Sequence, residues 1–192
     1  MIVANRTELS RRAFIRYAIF SGLMCLTPGR AWAARYGAGM PDKSLSLFNP
    51  NTKESLWTTY WSDGQYVPQA LAEINHIMRD RLTGDIKPID VCLLDLLHGI
   101  GTELKIQRPL HVISGYRSLK NNMLLRRRGK PASKNSYHLR GKAADICIPG
   151  CQLSALRGVS VQLKGGGVGY YPQAGFLHVD VGPIRYWSVR SY

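Results

Sequence analysis

Asp145 stands in the run Ala143-Ala144-Asp145-Ile146, a strand-forming segment with no other polar side chain. A carboxylate set among alanine and isoleucine is costly to bury unless it is paired or bound to a metal. Any fold this chain adopts must bring a partner to that strand. Candidates stand in Phe176-Leu177-His178-Val179-Asp180-Val181. Alternation along a strand puts His178 and Asp180 on one face and sends Leu177, Val179 and Val181 the other way, into a core. His138 precedes Asp145 by seven residues, with Gly141 between them. Two histidines and one or two carboxylates on adjacent strands match the ligand set of a catalytic zinc, which keeps a fourth position for water. Zinc would bring that water to a pKa of about 7, so that hydroxide is available near neutral pH. The competing reading of the same residues is a set of buried ion pairs.

The chain has 192 residues, room for one domain and a small appendage. A composition of 45% hydrophobic and 20% charged residues is globular and argues against wholesale disorder. No apolar run reaches the ~20 residues of a membrane-spanning helix. Four cysteines without paired C-x-x-C spacing exclude a disulfide mini-protein and a zinc-finger scaffold.

Residues 1–33 read as an address. Arg11-Arg12 precedes the uncharged stretch Tyr17 to Leu26, and Ala31-Trp32-Ala33 offers small residues for a signal peptidase. The order is that of a twin-arginine export signal, and it implies a periplasmic destination. Five Arg and one Glu leave with it, so 21 basic and 11 acidic residues remain. A basic protein beyond the inner membrane meets anionic lipid and the carboxylate-rich wall polymer rather than nucleic acid. Among the remaining cysteines, Cys92 is expected in the core. Cys147 and Cys151 flank a Pro-Gly turn and either form a disulfide or stay as two small, partly buried residues.

Residues 34–55 read as a mobile leader and the first strand of a hairpin around Asn49-Pro50-Asn51, and residues 56–192 as the main domain. Pro68 opens a helix that runs to Thr83-Gly84, and Pro88 opens a stronger one with Leu94, Leu97 and Ile100 in its stripe. A strand at Leu110–Ser114, a helix to about Arg128 and a strand at Ala143–Ile148 follow. A short helix at Gln152–Gln162, a flexible Gly165-Gly166-Gly167 break and three closing strands complete the chain. The sum is a single α+β domain, its helices packed on a small antiparallel sheet that carries the later residues. Arg126-Arg127-Arg128-Gly129-Lys130 either caps a helix end or touches an acidic polymer.

Four motifs occur in order: Ser114-Gly115-Tyr116-Arg117-Ser118, Ser136-x-His138-x-x-Gly141-x-Ala143-x-Asp145, Gly166 to Pro172, and Phe176-x-His178-Val179-Asp180-Val181-Gly182. This succession resembles the LAS metallopeptidases, the fold group of D-Ala-D-Ala carboxypeptidases and the hedgehog domain, and within it the MepK type of murein endopeptidase. The resemblance covers roughly Leu56 to Trp187. It implies one zinc per chain, held by His138, Asp145 and His178, and hydrolysis of peptide cross-links in peptidoglycan. Arg117 would bind substrate or stabilise the developing oxyanion. Several members place an acid three residues before the last histidine, where this chain has Gly175. Asp180 is then the best substitute as general base, or else it orients His178 or Arg117. His111 is a weaker base, and Cys147 a remote fourth ligand. Tyr116, Tyr170 and Ser136 are candidate substrate contacts. Tyr170 and Tyr171, after the glycine run, either line the substrate groove or pack in the ordinary way, and Ser136 and Gly141 equally fit a geometric role. Rivals to the endopeptidase reading are a D,D-carboxypeptidase trimming wall peptides and a non-catalytic, zinc-containing wall-binding module.

Overall fold

The structure is a computed structural model that describes residues 41–130 and 132–189; residues 1–33, expected to be an export signal, and the first residues of the expected leader lie outside the described residues. In chain order the elements are β1 (Lys43–Asn49), β2 (Glu54–Ser62), β3 (Gln65–Tyr66), α1 (Pro68–Ile77), α2 (Val91–Glu103), β4 (Leu110–Ser114) and α3 (Leu119–Arg127). A 3-10 turn (Tyr137–Arg140), β5 (Ala143–Cys147), α4 (Leu153–Gln162), β6 (Gly167–Tyr171), β7 (Phe176–Asp180) and β8 (Arg185–Ser188) follow.

The sheet is larger than the sequence suggests, and it is mixed. Eight strands run in the order β3-β2-β1-β4-β5-β7-β6-β8. β1 lies parallel to β4 and β6 parallel to β8, while the other pairs are antiparallel. The expected small antiparallel sheet is therefore only part of it. The leading hairpin joins because β1 buries Leu45 and Leu47 on one face, which needs the same cover as the later strands. Pairing of Leu47 with Leu110 and of Phe48 with His111 sets its place.

One face of the sheet is apolar: Leu45, Leu47, Val112, Ala144, Ile146, Val168, Leu177 and Val179 join a single cluster with α1, α2 and α4. Pro68 begins α1, where its missing N–H costs nothing. The helix stops at Ile77, short of Thr83-Gly84, because the Asp80 carboxylate captures the N–H groups of Leu82 (2.7 Å) and Thr83 (2.9 Å) into a turn. Asp90 caps α2 by accepting from the Cys92 N–H. Leu93, Leu94, Leu96, Leu97 and Ile100 form the buried stripe of α2, and Cys92, expected in the core, lies off it and is exposed. Cys147 and Cys151 are unbridged thiols. Gly167, expected in a flexible break, opens β6. The other face of β5 and β7 carries the polar residues.

Candidate active site

β5 and β7 are neighbours, and their register sets Asp145 opposite His178. His138 arrives from the 3-10 turn. The Ser136 hydroxyl accepts from the His138 N–H (3.3 Å), and Gly141 ends the turn in the left-handed region at φ 66. No larger residue fits there, since a Cβ would strike the Pro88 carbonyl. The Gly141 carbonyl accepts from Asp90 N–H (2.9 Å), and the His138 carbonyl accepts from Arg117 N–H (3.1 Å). The turn is thus tied to the start of α2 and to the loop before α3.

Three atoms converge. His138 Nε2 lies 3.2 Å from Asp145 Oδ1 and 3.2 Å from His178 Nδ1, and the latter two are 2.9 Å apart. The outer nitrogens fix the tautomers. His138 Nδ1–H donates to the Gly115 carbonyl (2.7 Å), which can only accept. His178 Nε2–H donates to Asp180 Oδ2 (2.9 Å). In the neutral rings both inner nitrogens are bare lone pairs facing a carboxylate oxygen. Three acceptors this close repel one another unless a cation lies between them. That donor set fits a zinc ion with a further position open to the cleft. The electrostatics of the trio divide. Burial pushes His138 down, toward the neutral ligand form. Burial alone would raise Asp145, but His138 and His178 beside it hold it far below the usual carboxylate range. Burial also opposes charge on His178, yet the Asp145 and Asp180 carboxylates on either side outweigh it and raise its pKa, so that a metal at Nδ1 has a proton to displace.

Asp180 is fully buried and does not line the cleft. Its Oδ1 accepts from Gly167 N–H (3.2 Å), Gly182 N–H (2.9 Å) and Arg185 Nη1 (3.0 Å). Its Oδ2 accepts from His178 and from Arg185 Nη2 (2.6 Å). Burial would raise its pKa, but the His178 and Arg185 hydrogen bonds hold it far down. A carboxylate with five donors has no lone pair to offer a substrate proton. Of the two roles the sequence left open, this geometry fits orientation of His178. Arg185 is a residue the motif reading missed. Its guanidinium stands between the rings of Tyr137 (5.1 Å) and Trp187 (5.2 Å) while clamping Asp180. The sequence signal was a cation five residues after Asp180, in the segment that pairs beside Gly167. Glycines at 167 and 169 leave room for this arrangement: a Cβ at 167 would meet Arg185 and Asp180, and one at 169 would strike the Trp187 ring.

A cleft of about 540 Å³ opens over the three converging atoms. Arg117 forms part of its wall with Nη2 3.4 Å from Asp145 Oδ2 and 3.4 Å from Ser114 Oγ. Ser136 also lines it; Tyr116 and Tyr170 do not. Tyr170 pairs with core-facing Leu177, so it points to the helical side, where Arg157 covers its ring. Tyr116 lies under Lys87. Tyr171 lines the cleft with Tyr137, and is stacked on Phe176 (4.6 Å) and accepts from Trp187 Nε1 (3.0 Å). His111 packs on Phe48 outside the lining, and Cys147 pairs with it, away from the ligand group. Gly175 lies in the β6–β7 turn. Among the described residues, Asp145 is the only carboxylate that lines the cleft.

Comparison with known proteins adds a family. A family model described as peptidoglycan L,D-endopeptidase MepK matches residues 38–187. The peptidoglycan L,D-endopeptidase MepK of Escherichia coli K12 is 41% identical over 143 residues, covering 74% of this chain and 79% of the relative. A probable peptidoglycan L,D-endopeptidase MepK of Haemophilus influenzae is 38% identical over 145 residues, covering 75% of this chain and 78% of the relative.

Proposed function

The chain belongs to the MepK family, and from that premise we propose that it is a zinc-dependent peptidoglycan endopeptidase that hydrolyses peptide cross-links of the bacterial wall. The observation that carries this reading is the convergence of the His138, Asp145 and His178 lone pairs at the cleft floor, with both imidazole tautomers fixed from outside. Wall cross-links join D-Ala to diaminopimelate or diaminopimelate to diaminopimelate, and the L,D designation of the relatives favours the second.

His138, Asp145 and His178 would hold one zinc ion. Bound there, zinc supplies Lewis-acid polarisation of an amide carbonyl and a water of lowered pKa. The chain does the rest. Arg117, fixed through its backbone to His138 and through its side chain to Asp145, presents a cation where negative charge grows on the scissile carbonyl oxygen. Asp180 orients His178, and Arg185 orients Asp180; both are positioning residues. Tyr171, Phe176 and Trp187 form an apolar wall that excludes water from the peptide. Residues 1–33 direct export by the twin-arginine route, so the enzyme works in the periplasm.

Chelation and reloading test the zinc requirement. The chain should release cross-linked peptides from sacculi, lose that activity with a zinc chelator, and recover it with added zinc. His178→Ala should bind no zinc and show no activity at any zinc level. Activity that survives both treatments would exclude the proposed chemistry. Removal of a terminal D-alanine with cross-links intact would assign the D,D-carboxypeptidase reaction instead.

A further inference from the structure

Helix α3 is built inside out. Its buried residues are Asn121 and Asn122, and none of its residues belongs to the hydrophobic core cluster. The asparagines anchor it by polar contacts: Asn121 Nδ2 donates to Asp80 Oδ2 (2.9 Å), and Asn122 Nδ2 donates to the Ser133 carbonyl (3.0 Å). Leu119 and Met123 are left outside, 64% and 43% exposed. They meet Leu82 and Leu124 in an open apolar groove of about 420 Å³, with Lys120 and Arg127 in the same lining. Asp80 fixes both sides of this groove. One carboxylate holds the Leu82 turn and also accepts from Ser118 N–H (2.7 Å) at the start of α3. The patch is therefore preformed, and Ile86 adds an exposed apolar side chain on the segment that follows.

Charge says what covers it. Residues 104–144 carry eleven Lys and Arg and no Asp or Glu. Lys120, Arg126, Arg127 and Arg128 lie on α3 or at its end, all exposed, and Arg81 and Lys87 outnumber Asp85 on the neighbouring turn. An apolar row interspersed with cations and without acids on its helix is the composition of an interfacial helix on anionic lipid. A second copy of the chain would bring like charges together. The wall polymer offers acids but no apolar surface to cover Leu119 and Met123.

We propose that the outer face of α3, with the Leu82 turn, docks on an anionic phospholipid bilayer. The same helix contributes Leu125 to the catalytic cleft, and Lys130 follows it there. Docking would hold that cleft at the membrane surface, beside the wall it acts on. The surface itself is independent of which bond the enzyme cuts.

The test is co-sedimentation of the full chain with vesicles of phosphatidylcholine, alone or mixed with phosphatidylglycerol. Leu119→Ser/Met123→Ser and Arg126→Gln/Arg127→Gln variants run beside it, each checked for unchanged cleavage of soluble wall peptides. Binding should require phosphatidylglycerol, fall with salt, and weaken ~10-fold or more in each double variant. Equal binding by wild type and both variants would place the lipid contact elsewhere, such as the N-terminal apolar run, and overturn the proposal. Binding of an acidic protein through this face without vesicle partition would also overturn it.

Discussion

The two ring nitrogens of His178 have opposite roles. Its Nε2–H reaches Asp180, and its Nδ1 is thereby left bare toward Asp145. Asp180→Asn keeps one acceptor but turns an NH₂ group toward donors already on Gly167, Gly182 and Arg185. The expected loss is ~10–100-fold in zinc affinity or turnover with the fold retained, the usual effect of removing a partner that orients a metal ligand. Competition titration with a chromogenic chelator and a thermal melt measure the two separately. Arg185→Lys should recover part of what Arg185→Ala loses, because an ammonium keeps the charge but not the two-pronged contact. Sequence alone reached the ligand trio because period-two alternation and a costly buried carboxylate are local facts. It offered Tyr170 and Tyr171 alike and carried Tyr170 forward, because the phase of β6 is set across the sheet, by Tyr170 pairing with Leu177 and Tyr171 with Phe176.

Turns and helix ends depend on single carboxylates. Asp80 serves Leu82, Thr83, Ser118 and Asn121, joining the end of α1 to the start of α3 and the loop that carries Arg117. Asp80→Ala leaves the Ser118 and Asn121 donors unpaired in a buried place and frees the Leu82 turn, and should cost about 3 kcal/mol. For a domain of this size that is a fall in Tm of ~6–12 °C. Glu54 joins β2 to the residue after the Met78 cap through Arg79 (2.8 and 3.0 Å). Hydrogen bonding to Arg79 lowers its pKa from 4.5 to about 2. A depressed carboxylate stabilises the fold fully above its unfolded pKa, and that contribution is lost as pH falls through the folded value. Glu54→Gln should therefore destabilise the fold at pH 7 by less than ~1 kcal/mol for this solvent-screened pair, and the difference in Tm should close between pH 4.5 and 2. Melts across that range check it. Most elements were legible as periodic segments. The end of α1 was misjudged because a turn gathered by one carboxylate leaves no hydrophobic signature. The place of β1 beside β4 was hidden because a parallel contact across more than sixty residues is written in no local pattern.

At the scale of the molecule, basic charge and site chemistry divide the work. Outside residues 1–33, 21 basic against 11 acidic residues favour association with a polyanionic wall and leave hydrolysis to the cleft. Sacculus binding should weaken as salt rises above ~0.15 M, where screening acts within about 8 Å, while turnover of short soluble substrates changes little. Isolated cross-linked peptide dimers offer the most direct test of the whole account. The full chain, loaded with zinc, is incubated with diaminopimelate–diaminopimelate dimers and separately with D-Ala–diaminopimelate dimers, and products are read by liquid chromatography and mass spectrometry. The account predicts conversion of the first dimer to monomers, abolished in His178→Ala and by chelation, with the second left intact. Intact diaminopimelate–diaminopimelate dimers in the presence of folded, zinc-loaded protein would contradict it.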